Sequence, residues 1–547
     1  MKNMNIRRSF FVCGIATVAL TLTGCSRYFE VDTNDILLDK DYLKESNELY
    51  SGYMGVASKM QAIADQTVFL SDLRTDLLEP TANAPQDLWD LYNFKEKLGN
   101  SFANPRPYYD LIVNANAYLS KIIAYRKSNP TAIEEAHYAA LISGTIRFKV
   151  WTYLTLGKLY GQVAYFDDPE LNLDKIGEIP VIGFDELIPK LITLMENGED
   201  GVNGLYEANW GNILYPGIPA NQQDLVWNMI CPSPAPLRME LYLWNKEYQR
   251  VVDIGIPFIS DGGGKRYKVS NEDWNGEWIQ AFTRDPITRT RVLINMVPYD
   301  FERNQTNRLI RFFSNEEPSV YYLKPTEVAM QRYESQLRYD GHTLGDRYRG
   351  VDFTYYFQNG EWVIRKFSRD RESASEIYKN NVHISIYRDS DVHFFVIEAL
   401  NNLGKFGPAE ALFNDGVELY RSRNGDNLEA PFDDPTINSH FAINMGIRRR
   451  VSLAPVYPQG LSKDDLDTEE KKRAYMKALD KLVAEETLME SAGEAKAYFA
   501  LMRIAKRWND PAILADIVSA KYPDGQKQQV RGHLMNEQNW FVKYPLK

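Results

Sequence analysis

The stretch EEAHYAALISGTIRFKVWTYLTLGKLYG, residues Glu134 to Gly161, is long and amphipathic, and its spacing predicts a single helix. Within it Tyr153, Leu156, Gly157 and Tyr160 reproduce the aromatic-x2-Leu-Gly-x2-Tyr pattern of the first helix of a tetratricopeptide repeat. In LGKFGPAEALFNDG, Gly404, Phe406, Ala409 and Phe413 carry the spacing of a tetratricopeptide turn and second helix. A looser version, WNKEYQRVVDIGIPF, centres on Tyr248 and Val251. Helix pairs of this kind stack because neither pair can bury its apolar face alone. They form a scaffold suited to binding, with no chemistry attached.

Working outward, Leu43, Leu49, Tyr53, Val56 and Met60 recur at helical spacing, and YYDLIVNANAYLSKIIAY begins just after Pro105 and Pro107. Near the C-terminus, residues 463–508 read as one or two helices with acidic first turns and a basic end, as the helix dipole favours. Between Ile259 and Pro325 the chain turns irregular, with one strand expected in TRTRVLINMV. Loops this long are usually functional or disordered, and the aromatic content argues against disorder. In DFTYYFQNGEWVIRKF, Asn359-Gly360 separates two partly alternating runs, a two-residue hairpin signal. VHISIY predicts a short strand, after which Asp389 or Ser390 can cap a helix.

The N-terminus has a different logic. Lys2, Arg7 and Arg8 precede an apolar run from Phe10 to Leu22, which matches a secretory signal and is too short to span a bilayer. Leu22, Thr23 and Gly24 then lead into Cys25 in the order of a bacterial lipobox. Cleavage there would leave Cys25 acylated; the alternatives are an ordinary signal peptide with an incidental cysteine, or a core helix. Each buried methylene contributes about 0.8 kcal/mol, so several acyl chains on one residue hold durably where one holds marginally. Cys13 leaves with the signal, and a chain left with Cys25 and Cys231 has no disulfide framework.

The 547-residue chain carries a formal charge of −11, which becomes about −14 once Lys2, Arg7 and Arg8 are removed. Such a surface disfavours nucleic acid. Aromatic residues make up 13% of the chain; a large helical core can bury the Phe and much of the Tyr, whereas Trp and Tyr in polar, Gly- or Asn-rich surroundings are harder to assign to it.

These pieces resemble the SusD/RagB family of outer-membrane nutrient-uptake lipoproteins. The resemblance is carried by the lipobox at Cys25, by ELYSGYMGVASKM followed by LSDLRTDLLEP, by GTIRFKVWTYLTLGKLYGQV, by YRDSDVHFFVIEALNNLGKF and by ETLMESAGEAKAYFALMRIAKR. Arg388 and Asp391 fit the family's Arg-x2-Asp, and Glu398, Ala399 and Asn401 its Glu-Ala-x-Asn. The last stretch keeps Glu494, Leu501 and Arg503 but has Ala495, Ala497 and Ala500 where many members have Gly, Arg and Asp, which leaves the packing of that helix open.

The resemblance implies a mainly α fold: a tetratricopeptide-like helix-pair scaffold with a loop-rich, partly β half that binds ligand. The expected organisation is a signal peptide over 1–24, a tether over 25–40 and one SusD-like domain over 41–547, with variable loops at about 255–325 and 345–385. The resemblance further implies a lipid-anchored protein of the outer membrane, facing the cell exterior. It would capture an oligomeric nutrient, a glycan or in the RagB branch a peptide, and pass it to a SusC-like TonB-dependent transporter.

A sugar ring presents an apolar C–H face bordered by hydroxyls, which suits a flat aromatic with amides at its edge. DWNGEW offers Trp274 and Trp278 with Asn275 between them, SVYYLKP offers Tyr321 and Tyr322, and APQDLWDLYNF offers Trp89 with Asn93. Extended, Tyr321 and Tyr322 would point oppositely, so at most one faces ligand; Trp89 can equally be a core residue. Catalytic and cofactor readings find little support. GGGKR lacks the spacing of a phosphate loop, DDLDTEE lacks the glycine of a calcium hand, and the six histidines show no zinc spacing. The expectation is no metal, no cofactor and no catalytic residue, with a surface glycoside hydrolase as the enzymatic alternative, because a carboxylate pair is a matter of spatial separation.

Overall fold

The computed structural model describes residues 46–167, 178–210, 213, 226–260, 269, 281–282, 292–351, 353–368, 381–425, 427–441 and 443–544. Cys25, Trp274, Asn275 and Trp278, and the signal and tether, lie outside the described residues.

The helices used below are α1 (Ser46–Ser58), α2 (Ala64–Asp72), α3 (Gln86–Tyr92), α4 (Arg106–Ser128), α5 (Glu135–Tyr160), α6 (Phe184–Asn197), α7 (Pro234–Trp244), α8 (Tyr248–Ile259), α9 (Asp389–Asn402), α10 (Phe406–Phe413), α11 (Glu469–Glu490), α12 (Ala497–Trp508), α13 (Ala512–Ser519) and α14 (Asp524–Leu534). Consecutive members of the run α4 to α9 pack on one another. Helix α9 then packs on both α10 and α11, and α11 to α14 continue the stack. Helix α2 lies against α12, which ties the start of the stack to its end. The fold is mainly α, and the helix-pair reading holds.

Its causes are visible at the repeat signature. Tyr153, Leu156 and Tyr160 are all buried, and the Tyr153 hydroxyl donates to the Phe166 carbonyl at 3.0 Å. Gly157 is where α6 crosses: a Cβ there would sit 2.6 Å from Phe184 and 2.7 Å from Leu187. Gly255 plays the same part between α8 and α9, since its Cβ would lie 2.2 Å from Val396 Cγ2. A missing side chain lets two backbones approach closely, and burial of each large apolar side chain contributes about 1.5–3 kcal/mol.

The strands are short and pair in twos, all antiparallel: β1 (Leu78–Pro80), β2 (Gln162–Ala164), β3 (Val181–Gly183), β4 (Leu293–Tyr299), β5 (Leu323–Pro325), β6 (Tyr355–Gln358), β7 (Glu361–Ile364) and β8 (Val382–Arg388), in the pairs β1–β5, β2–β3, β4–β8 and β6–β7. Strands β4 and β8 are buried along their whole length; β4 is a near-continuous apolar run, whereas β8 alternates and buries His383, Ser385 and Arg388 with polar partners. The β6–β7 turn has Asn359 at φ +51° and Gly360 at φ +81°, the two left-handed positions that a tight two-residue hairpin needs.

Two expectations are corrected. The segment before Pro325 has a helix of its own, Leu309–Phe313, whose Phe312 and Phe313 enter the core. Five residues are too few to show a period. At the start of α9 the capping position is Arg388, not Asp389 or Ser390: the Arg388 N–H donates to the Asp391 carboxylate at 2.8 Å. The strand runs straight into the helix and leaves no turn for a conventional cap.

Candidate functional site

The residues of the family-like motifs collect in the core. The Arg388 guanidinium donates through Nε to Glu494 at 2.6 Å and through Nη1 to Glu490 at 3.2 Å. Glu490 also receives Arg349 at 3.0 Å and Arg450 at 2.5 Å. A second cluster has Glu398 clasped by Arg503 at 2.9 and 2.8 Å and by Arg507, with Asp480 joining Arg507, Asn401 and Trp508. Burial opposes ionisation of both glutamates, yet Arg450, Arg388 and Arg349 hold Glu490 down to about 2, and Arg503 and Arg507 hold Glu398 down to about 2. These are charges locked by partners inside the protein. They fasten α9, α11 and α12 together and offer nothing to an external ligand.

Other perturbed groups are equally inaccessible. Burial lifts Asp72 to about 7 against the Gly493 N–H that it accepts, and pulls Lys521 down to about 7. His383 and His393 are lowered to about 4 and 3 by burial. Among the described residues no group of three potential ligands could hold a metal ion. The variant positions of the last motif find their place too: Ala497 is fully buried, while Ala495 and Ala500 border a core cavity of about 50 Å³ beside Lys158, Glu240 and Tyr387.

A more open surface lies elsewhere, on a strip of neighbours running α3, β1, β5, β7, β6. Three long-range links assemble it. Thr81 N–H donates to the Tyr322 carbonyl at 2.9 Å, Asn83 Nδ2 reaches the Val320 carbonyl at 3.4 Å, and the Tyr321 hydroxyl donates to the Trp362 carbonyl at 2.7 Å. Glu316 accepts from Gln358 at 2.5 Å and from Asn359 at 2.7 Å, pinning the hairpin tip.

The strip unites two of the three sequence candidates. Trp89 is half-buried, edge-on to Tyr92 at 5.8 Å, and Tyr322 is half-buried beside Phe312 at 5.1 Å. Tyr321 is buried, so of the tyrosine pair only Tyr322 is open to solvent. Asn93 has its amide committed, donating to the Trp89 carbonyl at 2.8 Å and accepting from Gln526 at 2.5 Å; it closes α3. Sequence reasoning missed the hairpin aromatics. Phe357 is 55% exposed, with half-buried Trp362 edge-on to it at 5.3 Å. The signal was present in YYFQNGEW, because aromatics flanking an Asn-Gly turn sit at a hairpin tip.

The helix-pair scaffold with short two-stranded sheets has the fold of SusD superfamily structures. The chain aligns over 91% of its length with a SusD superfamily protein from Bacteroides vulgatus, covering 95% of that chain at 11% identity and a TM-score of 0.57. A surface glycan-binding protein A from Bacteroides uniformis aligns over 88% of this chain and 95% of its own, at 14% identity and a TM-score of 0.55. A laminarin-binding SusD-like protein aligns over 89% and 98%, at 13% identity and a TM-score of 0.55. No family model and no curated protein matches the sequence.

Proposed function

We propose that this protein is a SusD/RagB-type surface lipoprotein that captures a glycan and delivers it, unaltered, to a SusC-like TonB-dependent transporter. The observation that carries the ligand class is the strip from Trp89 through Tyr322 to Trp362 and Phe357, where rings remain open to solvent in a molecule that buries most of its aromatics. Stacking on such rings, with Asn83 and the hairpin amides at the edge, suits saccharide faces and their hydroxyls. Trp274, Asn275 and Trp278, which lie outside the described residues, are proposed as further ligand contacts. Acylation of Cys25 is the proposed attachment; among the described residues no helix is long and apolar enough to cross a membrane.

The hydrolase alternative is disfavoured on the strip itself. Two of its carboxylates, Glu79 and Glu361, lie 3.5 and 3.9 Å from the one Lys324 ammonium and so share a cation, and Glu316 is held by the amides of Gln358 and Asn359. Capture of peptides by backbone pairing remains the second reading of the ligand.

The test is affinity electrophoresis of the purified mature chain in gels containing neutral polysaccharides, beside a peptide-library pulldown. Retardation without release of shorter sugars is expected. Cleavage would overturn binding without turnover, and peptide retention without glycan retention would replace the ligand class. Metabolic labelling with a palmitate analogue, lost in Cys25→Ala, checks the anchor, and co-purification of a TonB-dependent barrel from detergent-solubilised membranes checks the partner.

A further inference from the structure

A second surface recess lies away from the strip, between the β2–β3 pair and the C-terminal segment. It is a groove of about 880 Å³, within the range of about 300–1,000 Å³ that ligand sites occupy. Gly161 and Gly183 line it, and Phe541 and Tyr544 supply its aromatic wall. The Phe541 ring lies directly over Gly161, where a Cβ would come within 2.6 Å of it, and Tyr544 stands edge-on to Tyr160 at 6.4 Å.

The wall is held in place by the core. Val542 N–H donates to the Leu159 carbonyl at 2.8 Å, and Lys543 N–H to Glu96 at 2.9 Å. Arg74, buried and paired with Glu96, donates to the Phe541 carbonyl at 2.9 Å. A groove built this way needs little ordering when a ligand enters.

Its rim is polar and uncommitted. Gln162 and Gln538 are exposed, and their side-chain amides make no hydrogen bond with the described residues. The one carboxylate at the rim, Glu537, is already paired with Lys506. Lys543 is exposed at the same rim, and its ammonium makes no ion pair with the described residues; aromatic faces with free amides and one ammonium fit a hydroxyl-rich ligand.

We propose that this groove is a second saccharide-binding site, independent of the strip on β1, β5 and the β6–β7 hairpin. The proposal rests on the glycan-capture reading for its ligand class. Two separated sites on one chain would raise retention of a long polymer by avidity without tightening binding of a short one.

Gly183 makes the proposal testable. It has φ −74° and ψ 162°, ordinary extended backbone, and a Cβ placed there meets nothing within 4 Å. Gly183→Trp therefore fills the groove without backbone strain. The full mature chain, Gly183→Trp, a strip variant (Phe357→Ala with Trp362→Ala) and the combination are run in gels containing laminarin, glycogen, xylan, galactomannan or levan. The expected result is retardation by at least one polymer, weakened about tenfold by either change and abolished by both. Retardation lost with the strip variant and untouched by Gly183→Trp overturns the groove and leaves the strip reading standing. Retardation lost with Gly183→Trp alone supports the groove and overturns the strip. Absence of retardation in the wild type overturns both. If Gly183→Trp lowers Tm by more than a few degrees, Gln162→Ala with Gln538→Ala takes its place under the same outcomes.

Discussion

Trp362 and Arg388 show what single residues decide here. Trp362 is half-buried on an exposed hairpin and packs at the margin of the core, so its removal costs the fold less than loss of a fully buried ring, which is about 3–5 kcal/mol. Trp362→Ala, and likewise Tyr322→Ala, are expected to weaken glycan retention about tenfold, or about 1.4 kcal/mol, with a modest fall in Tm and the fold retained. Trp274→Ala or Trp278→Ala should do the same; loss of folding in their place would make them core residues. Affinity electrophoresis beside a thermal melt separates the two effects. Arg388 is the opposite case. Fully buried between Glu490 and Glu494, it is one of several cations holding them, Glu490 keeping Arg349 and Arg450 and Glu494 keeping Lys366; removing a buried partner still unbalances the cluster, and Arg388→Ala should cost about 3–5 kcal/mol in urea denaturation. Both residues stand in plain view in the sequence, but a guanidinium reads the same whether it meets solvent or two buried acids.

At the scale of elements, the helix pairs were legible because their cause is local. A period of 3.6 with small residues at crossing points can be read from one stretch, and Gly157 and Gly255 are the crossings of α5 with α6 and of α8 with α9. Gly255→Ala is expected to destabilise by about 1–3 kcal/mol through overpacking against Val396. Val396→Ala in the same chain should recover part of that loss, giving a double-mutant cycle with a non-additive term above about 0.5 kcal/mol. Additive losses would show that the two helices adjust by shifting apart. The Asn359-Gly360 hairpin was legible for a similar reason, since two left-handed residues in sequence are a local demand. Helix Leu309–Phe313 and the Arg388 cap were not, because one is shorter than two turns and the other depends on a strand meeting a helix without a turn.

For the whole molecule, the buried ion clusters join α9, α11 and α12 and set a response to acid. Glu398 and Glu490 have folded values of about 2, below the ordinary carboxylate value of 4.5. Between those limits the unfolded chain binds more protons than the folded one, so this part of the stability is fully present above about pH 4.5 and is lost as pH falls toward 2. Urea midpoints measured from pH 5 to pH 2.5 should fall, and Glu398→Gln, though less stable at pH 5, should fall less steeply. A parallel slope in the variant would remove Glu398 from the account. The sequence by itself determined the helical scaffold, its pairing and the hairpin, because periodicity, turn chemistry and small-residue spacing act within a few residues. Tertiary structure alone decided what lies next to what. It put the motif charges in the core and joined the strip from segments as far apart as Thr81 and Tyr321, 240 residues along the chain. It also set the C-terminal Phe541 over Gly161 to wall a groove. The physical reason is that burial and partner choice depend on the closing of long loops, which leaves no mark on the local pattern of residues.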